Sequence, residues 1–266
     1  GGFSDSDYKG VLNPKTGQYA LVRTMSSQLH STRIFNENYF AFLEALNDIV
    51  KRGIKQVALP GDFSDDGQPV HVRGLRKILN EYSQKHGLSF YVTTGNHDVV
   101  RPFSQDAVKT DFLGKNGKEQ IISSSLDNFN KSKTELEPII TADIKNWGYK
   151  ETINEMRDFG FFPKKTDLYW ETPFSNYTYE HYNFEEAQKK STLDKRTYVI
   201  KNTNLYLPDA SYLVECVNGI WLLAIDANAY VPNQKLSGLP DNPNDFSGAN
   251  TGYNNVLIYK SHLISW

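Results

Sequence analysis

Apolar positions change period several times along this chain, and each change predicts an element. Tyr39, Phe40, Leu43, Leu46, Ile49 and Val50 recur at helical spacing, which predicts an amphipathic helix over 36–52. Asn36 stands where its N-cap is expected, and Gly53 follows its last turn. A short apolar run predicts a strand over 55–60. Val72, Leu75, Ile78, Leu79 and Tyr82 form a second helical stripe within 70–86, followed by Gly87 and a strand over 88–94. Helix, strand, helix, strand is the βαβ logic of a sheet with some parallel strands. Short helices are expected over 135–146 and 149–159. Strands over 211–217 and 220–226 flank Asn218-Gly219, a pair suited to the positive-φ turn of a hairpin. Because 221–225 is apolar throughout, that strand is expected to be buried on both faces. Residues 254–266 begin another helix. Turn formers mark the remainder: Asn13-Pro14 and Thr16-Gly17 within a polar 1–33 stretch, a loop over 128–133, and Pro232, Pro240 and Pro243 in a later loop.

Two polar clusters sit where the paired strands end. Gly61-Asp62-Phe63-Ser64-Asp65-Asp66-Gly67 follows the first, and Gly95-Asn96-His97-Asp98 follows the second. Ligands of open α/β sheets bind beyond the carboxyl ends of the strands. The spacing therefore aims a carboxylate, an amide oxygen and a histidine at one crevice. Singly, Gly-Asp reads as an ordinary turn and Asn96 as a helix cap; the ordered pair, one helix apart, says more. Over 55–101 the pair resembles the second and third motif blocks of the calcineurin-like metallophosphoesterase superfamily. The stretches 160–182 and 208–232 resemble its bacterial, cyclic-nucleotide-phosphodiesterase-like subgroup.

The resemblance implies an α/β fold, a four-layer αββα sandwich with two mixed sheets. Residues 1–266 would form one such domain, incomplete at both ends, with 104–208 as an inserted aromatic-rich cap. It also implies two divalent metal ions (Mn, Fe or Zn). Asp62 would bridge them, Asn96 would bind the second, and Gly61 and Gly95 would allow the sharp turns. His97 would contact the substrate phosphate and protonate the leaving oxygen, with Asp65 in support. Asp98 is expected to orient His97 by accepting its other ring N–H, and Asp66 reads as a loop-solvated carboxylate. Arg101 is expected in a surface ion pair, with a phosphate contact as the alternative. Asp226, ending an apolar strand, would shape the crevice or cap a turn. The superfamily's Asp-x-His and late histidine motifs do not occur; Asp5 and Asp7 lack a histidine two residues on. These motifs are expected outside 1–266, with a degenerate site as the other account. The unburied apolar ending at Ile264 and Trp266 points the same way. With at most two recognisable ligands for one metal, this chain is expected to bind metal weakly and turn over little.

Composition narrows the partners. Aromatics form 13% of the 266 residues, with 16 Tyr and 15 Phe, as a packed fold requires. A net charge of −2 offers no basic footprint for polymeric nucleic acid. A small phosphorylated substrate, such as a nucleotide, is compatible because metal would supply the positive charge. Phe161, Phe162, Tyr169, Trp170, Phe174, Tyr177, Tyr179, Tyr182 and Phe184 read first as the core of the cap, with base stacking as the alternative. Cys216 is the single cysteine, expected as a buried structural thiol. His30, His71, His86, His181 and His262 lack metal-ligand spacing, and Asn176-Tyr177-Thr178 is a glycosylation signal only in a eukaryotic secretory protein. No apolar run is long enough to span a bilayer. The start shows neither a signal peptide nor an initiator methionine; cytosol and bacterial envelope both fit, with export slightly favoured. The expected function is a metal-dependent phosphoric ester hydrolase, a phosphodiesterase first. The alternatives are a phosphomonoesterase or pyrophosphate-cleaving enzyme of the same fold, or a non-catalytic scaffold. Oligomeric state does not follow from the sequence.

Overall fold

The computed structural model describes residues 11–12, 19–32, 36–129, 135–200 and 203–266. Asp5, Asp7, both early turn pairs and residues 130–133 of the expected loop lie outside them. In chain order the elements are β1 (Val11–Leu12), β2 (Tyr19–Ala20), α1 (Met25–Leu29), α2 (Asn38–Lys51), β3 (Gln56–Leu59), α3 (Pro69–His86) and β4 (Ser89–Val92). There follow β5 (Val108–Leu113), β6 (Glu119–Ser123), β7 (Ile139–Ile140), α4 (Tyr149–Glu155), β8 (Tyr169–Glu171) and α5 (Phe184–Lys190). The last are β9 (Thr197–Val199), β10 (Tyr206–Pro208), β11 (Tyr212–Val217), β12 (Ile220–Ala224), α6 (Val256–Tyr259) and α7 (His262–Ser265). The class is mixed α/β, and the described strands form five small sheets. Pairs β3–β4 and β6–β7 are parallel; the others are antiparallel. Among the described residues no helix is long and apolar enough to cross a membrane. The chain divides into two units. One holds residues 1–55, 68–88 and 105–146; the other holds 56–67, 89–104 and 147–266. The stretch 104–208 is thus shared, 105–146 going to the first unit, and 104 and 147–208 to the second.

In the first unit both expected helices form. Gly53 and Gly87 take positive φ, 72° and 65°, just past α2 and α3, where a residue without Cβ ends a helix at least cost. Tyr82 of α3 donates to Asn47 of α2 at 2.7 Å. Asn36 does not cap α2. Glu37 holds that position without a side-chain bond, because the Asn36 amide is taken by the backbone of Arg23, accepting from its N–H at 2.8 Å and donating to its C=O at 3.2 Å. Leu21, Val70, Phe112, Ile122 and Ile144 form the core, with Ile139 against it. The helix expected over 135–146 is absent. Pro138 lacks the N–H a helix interior needs, β7 follows it, and the Thr141 hydroxyl accepts from Asp143 N–H at 3.2 Å to start a single 3₁₀ turn, Ala142–Ile144.

In the second unit β3 and β4 run parallel, Gln56 opposite Ser89 and Leu59 opposite Val92, so both leave the sheet at the same end. A second sheet has β11 between β8 and β12. Its buried Tyr212 donates to the Val92 carbonyl at 3.0 Å, tying it to β4. A Cβ on Gly160 would overlap the Tyr212 ring, and the Gly160 carbonyl accepts from Trp170 Nε1–H at 2.9 Å. The 149–159 helix is observed as α4 and a π-turn, Arg157–Phe161. Four rings of the aromatic patch pack together: Tyr169 touches Tyr177, Tyr179 and Tyr182, and also Trp221 of the later hairpin, with centroids 5.2–6.2 Å apart. The hairpin forms with Gly219 at φ 79°. Its second strand is not buried on both faces. Among the described residues β12 is an edge strand, and Trp221 is 45% and Leu223 56% exposed. Its partner strand leaves Cys216 half-buried, not buried. The C-terminal helix is two short ones, broken at Lys260, whose φ of −114° and ψ of 56° are not helical.

Candidate active site

Parallel pairing delivers the two polar loops to one end of the β3–β4 sheet. Gly61 and Gly95 then meet backbone to backbone. A Cβ on Gly61 would lie 2.7 Å from Gly95 N, and one on Gly95 would overlap the Asp62 backbone and carboxylate. Only glycine at both positions permits that approach. Asp62 takes φ 52°, unusual for a residue with a Cβ. Its Oδ1 accepts from the backbone N–H of His97 at 3.0 Å, which sets the carboxylate beside the Asn96–His97 peptide. Neither the second carboxylate oxygen of Asp62 nor the half-buried Asn96 side chain has a hydrogen-bond partner among the described residues.

Two carboxylates take roles other than those expected. Asp98 does not orient His97. It is fully buried beneath the loops, where Oδ1 accepts from Ser64 N–H and Oγ–H, both at 2.8 Å, and Oδ2 accepts from Gly95 N–H at 2.8 Å. Burial pushes the Asp98 carboxyl up to about 7, against the pull of those bonds and with the nearby Asp62 charge adding to the rise. Its two bonds from Ser64 join the loops, and the one from Gly95 closes the second loop on itself. Asp66, expected in solvent, pairs with His97: its Oδ1 lies 2.8 Å from Nδ1. The left-handed Asp66 backbone, φ 62°, and Gly67, φ 67°, turn that carboxylate back toward the ring. A Cβ on Gly67 would stand 3.1 Å from Trp147 O. Asp66 therefore holds the neutral ring's proton on Nδ1, which leaves the Nε2 lone pair facing away from it.

The remaining predicted residues are also located. Asp65 is half-buried in the first loop. Arg101 forms no ion pair among the described residues; its Nη1 lies against the chain at Gly248, 3.2 Å from where a Cβ would stand. Asp226 is a fully buried acceptor, bonded to Thr94 Oγ1–H at 3.0 Å next to the second loop. Sequence reading missed Asn228, whose Nδ2–H donates to the Gly95 carbonyl at 3.3 Å. That contact joins residues 133 positions apart, and no local pattern marks it. His262 belongs to another cluster, with Nε2 3.2 Å from Asp209 and its ring between Phe174 and Tyr198.

A model of the calcineurin-like phosphoesterase family matches residues 29–200, more than half of the 266-residue chain, and the match contains both loops. The chain belongs to this family. None of the curated proteins matches it. A calcineurin-like phosphoesterase hydrolyses phosphoric esters with divalent metal. Residues here that could hold such an ion are Asp62, through a carboxylate oxygen, and Asn96, through its amide oxygen, oxygen ligands compatible with Mn, Fe or Zn. Among the described residues no three His, Cys, Asp or Glu side chains stand together as a metal group.

Proposed function

We propose that this calcineurin-like phosphoesterase is a phosphodiesterase that works through a pair of divalent metal ions. The observation that carries the reading is the meeting of Asp62, Asn96 and the His97–Asp66 pair on two loops at one end of a parallel strand pair. When bound, divalent ions supply Lewis acidity and a water acidic enough to attack phosphorus. Asp62 fits the bridging place because a carboxylate offers two anionic oxygens, and one bond from His97 N–H leaves lone pairs on both. Asn96 would add a neutral oxygen. Protonated His97 would hold Asp66 through Nδ1–H and present Nε2–H to the leaving oxygen. Asp98 and Ser64 would keep the loops in register. The likeness of 160–182 and 208–232 to a phosphodiesterase-like subgroup supports a diester over a monoester.

The test is turnover of bis-p-nitrophenyl phosphate and p-nitrophenyl phosphate with Mn²⁺, for the whole protein and for its Asp62→Ala and His97→Ala variants. Diester cleavage that falls at least about 100-fold in both variants is expected. Unchanged turnover in the variants would remove these residues from the chemistry. A preference for the monoester would favour the phosphomonoesterase reading, and no cleavage of either compound the scaffold reading.

A further inference from the structure

The second loop is held from far along the chain. Asn228, buried, donates Nδ2–H to the Gly95 carbonyl at 3.3 Å, while its own N–H donates to Asp226 Oδ1 at 3.1 Å. Asp226 also accepts from Thr94 Oγ1–H at 3.0 Å, from Tyr149 O–H at 2.6 Å and from Ala210 N–H at 3.2 Å. Lys260 Nζ completes the arrangement, 2.9 Å from both Asp226 and Asp209 and 2.7 Å from the Asp226 carbonyl. These three charged side chains are fully buried. A buried ion cluster seldom stabilises more than apolar side chains of the same volume would. What a fully bonded cluster does supply is fixed geometry, and the geometry fixed here is that of the peptides around Gly95. Asp98 holds the Gly95 N–H at 2.8 Å, and the Gly95 C=O accepts both from Asn228 and, at 3.2 Å, from the Asp98 N–H. The Gly95 carbonyl belongs to the peptide that carries Asn96, so turning that peptide would re-aim the Asn96 amide.

We propose that Asn228 is a positioning residue for Asn96, keeping its amide oxygen convergent with the Asp62 carboxylate so that the two hold one divalent cation. The inference rests on the reading of Asp62 and Asn96 as metal ligands. A donor pre-set in its binding geometry spares the ordering cost that a mobile one meets on binding, and outer partners of ligands commonly alter affinity 10- to 100-fold.

The experiment titrates Mn²⁺ into the full chain and follows paramagnetic broadening of the backbone amides at 95–98 by ¹⁵N NMR, which reads weak as well as tight binding. Thermal melting is measured in parallel. Asn228→Ala is compared with Asn228→Leu, which keeps much of the side chain's shape without its donor and carries the test should the alanine variant not fold. About tenfold more Mn²⁺ for half-broadening in these variants, with melting midpoints within a few degrees of the parent, is the expected result. A merely structural asparagine would shift melting and leave the Mn²⁺ dependence alone. If Asp62→Ala loses the broadening but both Asn228 variants match the parent, the positioning role is overturned and the ligand reading stands. If the parent shows no broadening, or Asp62→Ala broadens as the parent does, the ligand reading fails and the inference falls with it.

Discussion

The loop after β3 and the loop after β4 meet at one site but are held by different means. The first bends through its own backbone: Gly61, Asp62, Asp66 and Gly67 all take positive φ, from 52° to 104°. Left-handed geometry costs an aspartate about 1 kcal/mol per residue, so that loop stores strain that its contacts must offset. The second loop has no positive φ over 95–98. Besides its own Asp98–Gly95 bonds, it is held by side chains from elsewhere: Asp62 on His97 N–H, Ser64 on Asp98, and Asn228 on Gly95 C=O. The first loop is written in its own residue types, whereas the second depends on partners up to 133 positions away.

The far support is the place to break the second loop. Lys260→Met would leave Asp209 and Asp226 buried without their cation, costing about 3–5 kcal/mol. Urea unfolding at neutral pH checks this, and amide exchange over 95–98 should rise with it. The pH dependence has a definite sign. Burial alone would raise the Asp209 carboxyl, but Lys260, His262 and Ser211 more than offset that and hold it well below the usual carboxylate range. Its contribution is present above about pH 4 and is lost as pH falls further. Burial likewise lowers the Lys260 ammonium, yet Asp209 and Asp226 hold it above the ordinary lysine range. Its contribution is present below about pH 10 and is lost as pH rises through the folded value. The cluster's own contribution should therefore plateau between these limits in the parent. A Lys260→Met protein as stable as the parent at pH 7 would show that the cluster supports nothing.

Exchanging the two carboxylates' roles sharpens the contrast within the site. Asp66→Asn should lower kcat about 10- to 100-fold with little change in KM, because the charge behind His97 is lost while substrate contacts stay. Asp98→Asn should act mainly on folding, by about 1–3 kcal/mol, since an amide group cannot accept from both Ser64 and Gly95 N–H. Steady-state kinetics and unfolding on both variants separate the two. The opposite pattern would restore Asp98 as the partner of His97.

The same asymmetry explains what could be read from the sequence. The βαβ start, the hairpin and both loops were legible because their signals are local: helical stripes, glycines past helix ends, and polar clusters after apolar runs. Family membership followed from those loops. Which carboxylate serves His97 was not legible, since Asp65, Asp66 and Asp98 share a residue type and only backbone φ decides where each points. Burial of 221–225 was misjudged because apolar composition does not say whether a strand is central or at an edge. Asn228 gave no signal, as its role depends on a turn that folding brings to Gly95. The helix expected over 135–146 was misread despite Pro138, a breaker present in the sequence.

The smallest expected effects test whether the first loop's glycines serve conformation alone or close approach as well. Gly219 has φ 79° and nothing within 4 Å of a would-be Cβ, so Gly219→Ala isolates the backbone cost, about 1 kcal/mol. Gly61 has φ 104°, and its Cβ would press on Gly95 N at 2.7 Å and Gly95 Cα at 2.9 Å. Backbone atoms yield less readily than the tip of a flexible side chain. Gly61→Ala should therefore cost about 1–3 kcal/mol beyond Gly219→Ala and weaken whatever Asp62 holds. Urea midpoints for the two variants give the difference directly. Equal midpoints would mean that the loops can part without loss, and that the meeting of Gly61 and Gly95 is not what fixes Asp62 beside Asn96.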